Sequence, residues 1–172
     1  MWWTVLLTVA QAADPEADRI AESLVQSVRE GEWRAVERRY TELVKAHPSG
    51  LSGPIHQTAS QAARMRGDLL LAAQRLLRVR ADGEGYDRAH ADLKILEQST
   101  GLVMVWAEPT ATDAALTPTA VPFAPDMKLA IENASAKLQS DGVFVGLLPT
   151  GEYTLGSRTF TVSPGFDWHV VQ

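Results

Sequence analysis

The side chains that could carry out chemistry are few and scattered along the chain. The four histidines, His47, His56, His90 and His169, stand far apart, and no His-Glu-x-x-His pair of metal ligands occurs. The chain has no cysteine, which excludes a thiol nucleophile, a disulfide framework and a thiolate zinc site. His90 and Asp92 stand two positions apart on a predicted helix and therefore point to different sides. We expect surface histidines rather than a metal centre.

Three other patterns approach a functional signature without completing it. Asp167 and His169 alternate on a predicted strand and so share a face, but no third metal ligand or catalytic serine accompanies them. The run Ser-Gly-Leu-Ser-Gly at 49–53 lacks the Gly-x-Ser-x-Gly frame of a nucleophile elbow. Gly83 and Gly85 lack the preceding strand and the third glycine of a dinucleotide-binding loop. The sequence therefore predicts that the protein is not an enzyme and needs no cofactor.

Length and composition are those of an ordinary globular protein. The 172 residues are 45% hydrophobic and 22% charged, with a formal net charge of -5 at pH 7. Nucleic-acid backbones are negatively charged and bind strongly positive surfaces. Since this chain has a negative net charge, we expect no nucleic-acid partner. No segment approaches the roughly 20 consecutive apolar residues of a membrane span, so we also expect no integral membrane span.

The N-terminus has the features of an export signal. An apolar run from Trp2 to Val9 precedes an Ala-Gln-Ala sequence at 10–12, which has the small-x-small form of a signal peptidase site. We therefore predict a signal peptide at 1–12 and a periplasmic or secreted mature protein. The alternative is a short apolar terminus packed on the domain, since no Lys or Arg precedes the apolar run.

Apolar residues recur at helical spacing through 14–98 and predict five helices in a helical repeat-like domain. Asp14 followed by Pro15 is a typical helix start. Placing Gly31 over Gly67 gives an internal period of 36 residues, which also aligns apolar positions of the second and fourth helices. The aligned pairs are Trp33 and Leu69, Val36 and Ala72, Tyr40 and Leu76, and Leu43 and Val79. The sequence therefore repeats one helical pair.

The second helix carries the motif of a known repeat family. The segment Gly-Glu-Trp-Arg-Ala-Val at 31–36, followed by Tyr40, Leu43 and Pro48, resembles the second helix and exit proline of a tetratricopeptide repeat. The resemblance covers about residues 16–82 and implies stacked antiparallel helical hairpins. A plain helical bundle is the alternative.

The tetratricopeptide resemblance also implies a binding surface. In that family the first helix of each pair lines a groove, which here could hold an extended peptide or a chain end through polar contacts. The first helices of the two pairs depart from the family pattern, so the assignment rests on the second helices. The positions that match the groove are Asp18, Arg29, Gln57, Gln61 and Arg64.

Arginines accumulate on the predicted helices, and acidic residues lie between them. Solvated helix faces with weak ion pairs are the preferred interpretation, and an anion-binding strip is the alternative. The arginines concerned are Arg34, Arg38, Arg64, Arg66, Arg75, Arg78 and Arg80.

After Gly101 the periodicity changes from that of helices to that of strands, which predicts a small α+β domain at 101–172. An apolar run at 102–107 predicts a buried strand. Residues 108–125, rich in threonine, alanine and proline, predict an extended loop, and 125–142 predict the one helix of this part. The whole chain is therefore expected to be α+β, with N-terminal antiparallel helical hairpins followed by a small β-rich part.

The strongest local signal is a hairpin at 153–162. A Gly-Ser pair at 156–157 lies between alternating runs, which is typical of a two-residue type II′ turn with Tyr153 and Phe160 paired on the core side. The Leu-Pro-x-Gly-x-Tyr stretch at 148–153 resembles a turn of PEGA-type and carboxypeptidase-regulatory-like domains, which are small exported β-modules. That resemblance implies structure and no chemistry.

These observations favour an exported, non-catalytic interaction or scaffold protein that binds a peptide or another cell-envelope component. Trp168, flanked by Asp167 and His169, is the tryptophan that could contact a glycan or peptide. The alternative is an envelope enzyme or enzyme accessory of unknown reaction, with Glu152, Asp167 or His169 at the rim of the β-rich part. A closed pocket with convergent ionisable groups would favour the enzyme, and an open groove would favour the binding protein.

Overall fold

The computed structural model describes residues 15–47, 50–107 and 115–171, and only the helical backbone of 15–18. The predicted signal peptide lies outside these residues. Within them the fold is α+β, with five helices before the first strand and a sixth between the second and third strands. The helices are α1 (Pro15–Arg29), α2 (Trp33–Ala46), α3 (Gly53–Met65), α4 (Leu69–Leu76), α5 (Tyr86–Ser99) and α6 (Pro125–Asp141). The strands are β1 (Thr100–Trp106), β2 (Leu116–Pro118), β3 (Val143–Pro149), β4 (Gly151–Leu155), β5 (Arg158–Val162) and β6 (Gly165–Val171).

The five N-terminal helices pack in chain order, each against the next, and α3 also contacts both α1 and α5. Helices α1, α3 and α5 therefore lie side by side. The internal period of the sequence is visible in the burial of α2 and α4: Val36 and Ala72 are fully buried, and Tyr40 and Leu76 are each 4% exposed. The aligned positions of α2 and α4 are thus buried in both helices.

Two glycines end the first helix of each pair in the same way. Gly31 and Gly67 both have a φ of +72°, a left-handed conformation that glycine adopts without a steric penalty. The next helix begins two residues later in both cases, at Trp33 and at Leu69. At the start of α4 the carboxylate of Asp68 also accepts a hydrogen bond of 3.0 Å from the backbone N–H of Leu71.

The described strands form two three-stranded sheets. In one sheet the order is β3-β1-β6, with β1 antiparallel to β3 and parallel to β6. In the other the order is β2-β4-β5, with antiparallel pairs throughout. The apolar run predicted as a buried strand is the central strand β1, in which Val103 and Val105 have no exposed surface.

The hairpin of β4 and β5 pairs in the register that the sequence predicts, with Tyr153 opposite Phe160. Gly156 has a φ of +59°, and Ser157 does not have a positive φ, which matches a type II′ turn. Tyr153 is 1% exposed, and its hydroxyl donates to the carbonyl of Pro149 at 2.8 Å. Phe160 is half-buried and packs on the core side, as predicted, where it stacks on Tyr153 at a centroid distance of 5.7 Å.

The predicted extended loop at 108–125 is wrong in one part. Residues 116–118 form the short strand β2, which pairs with β4 through Leu116 and Leu155. Residues 108–114 lie outside the described chain. The strand β2 could not be predicted from the sequence, because it has only three residues, one of them Pro118, and because its partner strand is distant in the sequence.

Three clusters of buried apolar side chains form the core, and one of them unites the helical and β-rich parts. That cluster combines Leu76 and Leu96 of the N-terminal helices with Leu102 of β1, Ala130 of α6 and Leu147 of β3. A second cluster lies between the two sheets and α6. The third lies among α1, α2 and α3.

Candidate functional site

The face formed by α1, α3 and α5 carries two adjoining cavities. One, of about 580 Å³, lies among α3, α5 and the start of α6. The other, of about 770 Å³, lies between α1 and α3. Pro54 and Thr58 of α3 line both cavities, so the two form one continuous concave surface. We call it the helical groove.

The structure brings most of the predicted groove residues to this surface. Gln57, Gln61 and Arg64 line the cavity between α3 and α5. Arg29 lines the cavity between α1 and α3. Asp18 belongs to α1, but its side chain lies outside the described part of the chain.

Trp168 stands apart from these residues. It lies on β6 with 57% of its surface exposed, and it lines neither cavity of the helical groove. Its neighbour Asp167 is also exposed, whereas His169 is half-buried. The structure therefore does not bring the predicted tryptophan contact together with the groove residues.

Two of the predicted groove residues hold the walls of the groove in place. The side-chain amide of Gln57 donates to the carbonyl of Gly85, which ties α3 to the turn before α5. The guanidinium of Arg64 donates two hydrogen bonds, of 3.0 and 2.8 Å, to one carboxylate oxygen of Asp126. This ion pair links α3 to the first turn of α6, and both of its residues line the cavity. Gln61 is exposed and forms no such link in the described residues.

Sequence reasoning missed three charged residues of the cavity between α3 and α5, namely Arg88, Asp92 and Asp126. Arg88 and Asp92 stand four positions apart on α5 and share one face of that helix, and both line the cavity. The rule that selected first helices could have found them if α5 had been taken as the first helix of a third pair. Asp126 had no such signal, since it is brought to Arg64 only by the packing of α6.

A second polar cluster lies inside the helical stack. The Tyr40 hydroxyl and the His56 Nδ1 are 2.9 Å apart, and the Arg75 guanidinium lies 4.5 Å from the Tyr40 ring centroid. Arg75 also donates to the carbonyl of Ala59 at 2.7 Å and to the Glu37 carboxylate. These contacts join α2, α3 and α4.

Tyr40 and His56, the central residues of this cluster, are both buried, and burial affects the protonation of the histidine. Tyr40 and His56 are 4% and 6% exposed, so the expectation of a surface histidine is wrong for His56. Burial, followed by the charges of Arg78 and Arg75, lowers the pKa of His56 below its usual value of 6.5. The histidine is therefore neutral at pH 7, and the cluster acts as a clamp between helices.

Neither a metal centre nor a membrane helix is found in the described residues. No three histidine, aspartate or glutamate side chains of these ranges come together as metal ligands. None of the helices described is both long enough and apolar enough to cross a membrane. Comparison with protein-family models, with curated proteins and with solved structures finds no match to this chain.

Proposed function

We propose that the protein is a non-catalytic interaction protein whose helical groove binds an extended peptide or a chain end. The observation that carries this proposal is the continuity of the two cavities across α1, α3 and α5. An open surface made by alternate helices is suited to a chain-like ligand, whereas enzymes use closed pockets with convergent ionisable groups.

The arrangement of the helices supports a tetratricopeptide-like interpretation of this surface. Helices α1 and α3 are the first helices of two successive pairs, and α5 lies beside α3 where the first helix of a third pair would lie. The groove lies on the side that these three helices share. The aligned burial of Val36 with Ala72, and of Tyr40 with Leu76, is what stacked copies of one helical pair require. The buried contacts of Arg75 lock the two pairs together.

The polar groups of the groove suggest how a peptide is held. Arg64 is neutralised by Asp126, so the charges left to face a ligand between α3 and α5 are those of Arg88 and Asp92, which form no ion pair within the described ranges. A guanidinium and a carboxylate one helical turn apart can bind a peptide carbonyl or carboxylate and an N–H or ammonium group. Gln61 offers an amide that both donates and accepts.

We further propose that the partner belongs to the cell envelope and that the mature protein is periplasmic or secreted. This part of the proposal rests on the signal-like sequence at 1–12 and on the PEGA-like turn at 148–153. Sequencing of the N-terminus of the protein purified from its host tests it. A soluble protein that retains residues 1–12 would contradict the export proposal and leave the groove proposal untouched.

The groove proposal is tested by selecting peptides from a random phage-displayed library on the full chain. The affinity of the selected peptides is then measured by fluorescence polarisation with Arg88→Glu and Gln61→Ala. Each substitution should weaken binding by about tenfold, the usual scale for losing one or two polar contacts. The matched control is Lys94→Glu, an exposed cation of α5 that lines neither cavity of the groove. Equal affinity of the wild-type and Arg88→Glu proteins would exclude this groove as the binding site.

A further inference from the structure

A second groove lies between strand β3 and helix α6, and it adjoins the cavity between α3 and α5 at Met65, which lines both. It has a volume of about 550 Å³. Residues 144–147 of β3 form one wall, and Leu129, Asn133 and Lys137 of α6 form the other. The turn around Gly67 closes one end. We call it the strand groove.

The strand wall of this groove is a sheet edge. In the order β3-β1-β6, strand β3 has a neighbour on one side only within the described residues. Four consecutive residues of β3 line the groove. Val145 is 39% exposed, whereas Phe144, Gly146 and Leu147 are buried, so the edge is open at Val145. There the backbone N–H and C=O groups can pair with an added strand.

The rim of the strand groove is positively charged. Arg34 of α2, Arg66 after α3 and Lys137 of α6 all line it. Arg34 and Lys137 are exposed and form no ion pair within the described ranges. The Arg66 side chain is 41% exposed, and one of its guanidinium nitrogens lies 3.4 Å from the Glu37 carboxylate. The acidic residue of the lining, Asp68, accepts the backbone N–H of Leu71.

This local positive charge stands out against the rest of the molecule. The whole chain has a formal net charge of -5. Other arginines of the helices are neutralised by acidic neighbours: Arg64 by Asp126, Arg75 by Glu37 and Arg80 by Asp82. The strand groove is thus a place where two cations without an ion-pair partner in the described residues, Arg34 and Lys137, meet a sheet edge beside the Arg66–Glu37 pair.

We propose that the strand groove binds an acidic, extended segment of a partner protein, which adds a strand to the free edge of β3. The four lining residues correspond to about 13 Å of extended chain, so the core of the ligand is about four residues long. Backbone hydrogen bonds to β3 supply the pairing, and the three cations select acidic side chains. This surface adjoins the helical groove at Met65 but has its own charged residues, and the proposal does not depend on the function proposed for the helical groove.

A peptide fits the strand groove better than a nucleic acid. Nucleic-acid binding needs a broad positive field and aromatic side chains on which bases stack, whereas this chain is acidic overall and the groove has one aromatic residue, the buried Phe144. An edge strand, by contrast, pairs specifically with an extended polypeptide backbone.

The test uses the full chain and a fluorescein-labelled octapeptide of alternating glutamate and threonine, which is acidic and favours the extended conformation. A glutamine-threonine octapeptide and an eight-residue oligothymidylate are the comparison probes. Binding is measured by fluorescence polarisation at low and high salt. Hydrogen exchange of the backbone amides, with and without peptide, locates the site.

The proposal expects the glutamate peptide to bind more tightly than the glutamine peptide and to weaken as salt rises. Arg34→Glu and Lys137→Glu should each reduce its affinity by about tenfold, the scale of reversing one charge contact. Lys128→Glu should not, because this exposed lysine of the same helix lines a different cavity, beside β2. Amide exchange should slow within 143–149.

Several results would overturn the proposal. These are failure of the glutamate peptide to bind, equal binding of the glutamine peptide, equal losses for Lys128→Glu and Lys137→Glu, and slowed exchange outside β3. Tighter binding of the oligothymidylate than of the glutamate peptide would assign the groove to nucleic acid instead.

Discussion

Replacing Gly67 with alanine tests whether the helical part and the β-rich part share one core. Gly31, Gly67 and Gly142 follow α1, α3 and α6, and all three have a φ of +72°. A Cβ atom added at Gly67 would lie 2.7 Å from both the backbone nitrogen of Ala130 and the carbonyl carbon of Leu129. A Cβ added at Gly31 or Gly142 would meet nothing within 4 Å. The three sites therefore share one backbone strain and differ in the contact with α6.

The expected cost separates into those two effects. The left-handed conformation costs an alanine about 1 kcal/mol at each of the three positions. At Gly67 the added methyl group also meets the backbone of α6, so the turn or the helix has to move by roughly half an ångström or more. Forced overpacking of this kind costs about 1 to 3 kcal/mol. We therefore expect Gly67→Ala to lower the free energy of unfolding by about 2 to 4 kcal/mol, and Gly31→Ala and Gly142→Ala by about 1 kcal/mol each.

The assay is urea unfolding of the full chain and the three variants, followed by circular dichroism at one temperature. Unchanged slopes with shifted midpoints would show that native stability has changed and not the extent of unfolding. If Gly67→Ala costs no more than its two counterparts, the turn between α3 and α4 does not pack against α6. The core that unites Leu76 with Ala130 and Leu147 would then be wrong.

Two further predictions concern the buried clamp of the helical stack. Arg75→Met should lower the free energy of unfolding by about 2 to 4 kcal/mol, because it leaves the Glu37 carboxylate without its buried partner. The cost is no larger because Glu37 keeps partial contact with solvent. The matched change in the exposed ion pair, Arg80→Met, should leave the urea midpoint unaltered, and a wild-type midpoint for Arg75→Met would refute the clamp. The second prediction is a pH dependence, since the pKa of His56 is lowered in the folded state and the unfolded chain binds more protons below its usual value of 6.5. The contribution of His56 to the free energy of unfolding should be at its full value above about pH 7.5, and it should decrease as the pH falls through 6.5. His56→Phe should remove most of that fall, and an identical pH profile in wild type and variant would contradict the assignment.

Much of the local structure could be predicted because its signals lie within a few residues of one another. The alternation around Gly156-Ser157 is enough to set a two-residue turn, and the turn sets the register that brings Tyr153 opposite Phe160. The bounds of α6 follow from Pro125 at its start and Gly142 at its end. In each case the cause is the conformational preference of a few adjacent residues.

The candidate sites were predictable only in part. First-helix positions such as Gln61 could be found because the resemblance to tetratricopeptide repeats implies that the first helix of each pair lines a groove. The partner of Arg64 could not, because Asp126 is far along the chain and reaches α3 only when α6 packs against the helical stack. The strand groove had no sequence signal at all, since Arg34, Lys137 and β3 belong to three separate segments.

The aligned glycines Gly31 and Gly67 show most clearly which features depend on the local sequence and which depend on the tertiary structure. Each ends one helix and lets the next begin two residues later, which accounts for the left-handed φ that they share. Nothing local distinguishes them, yet one faces open space and the other lies against the backbone of α6. The sequence by itself determined the helices and the hairpin, since these depend on neighbouring residues. Only the tertiary structure decided which surfaces meet, because contacts between distant segments form when their apolar faces are buried together.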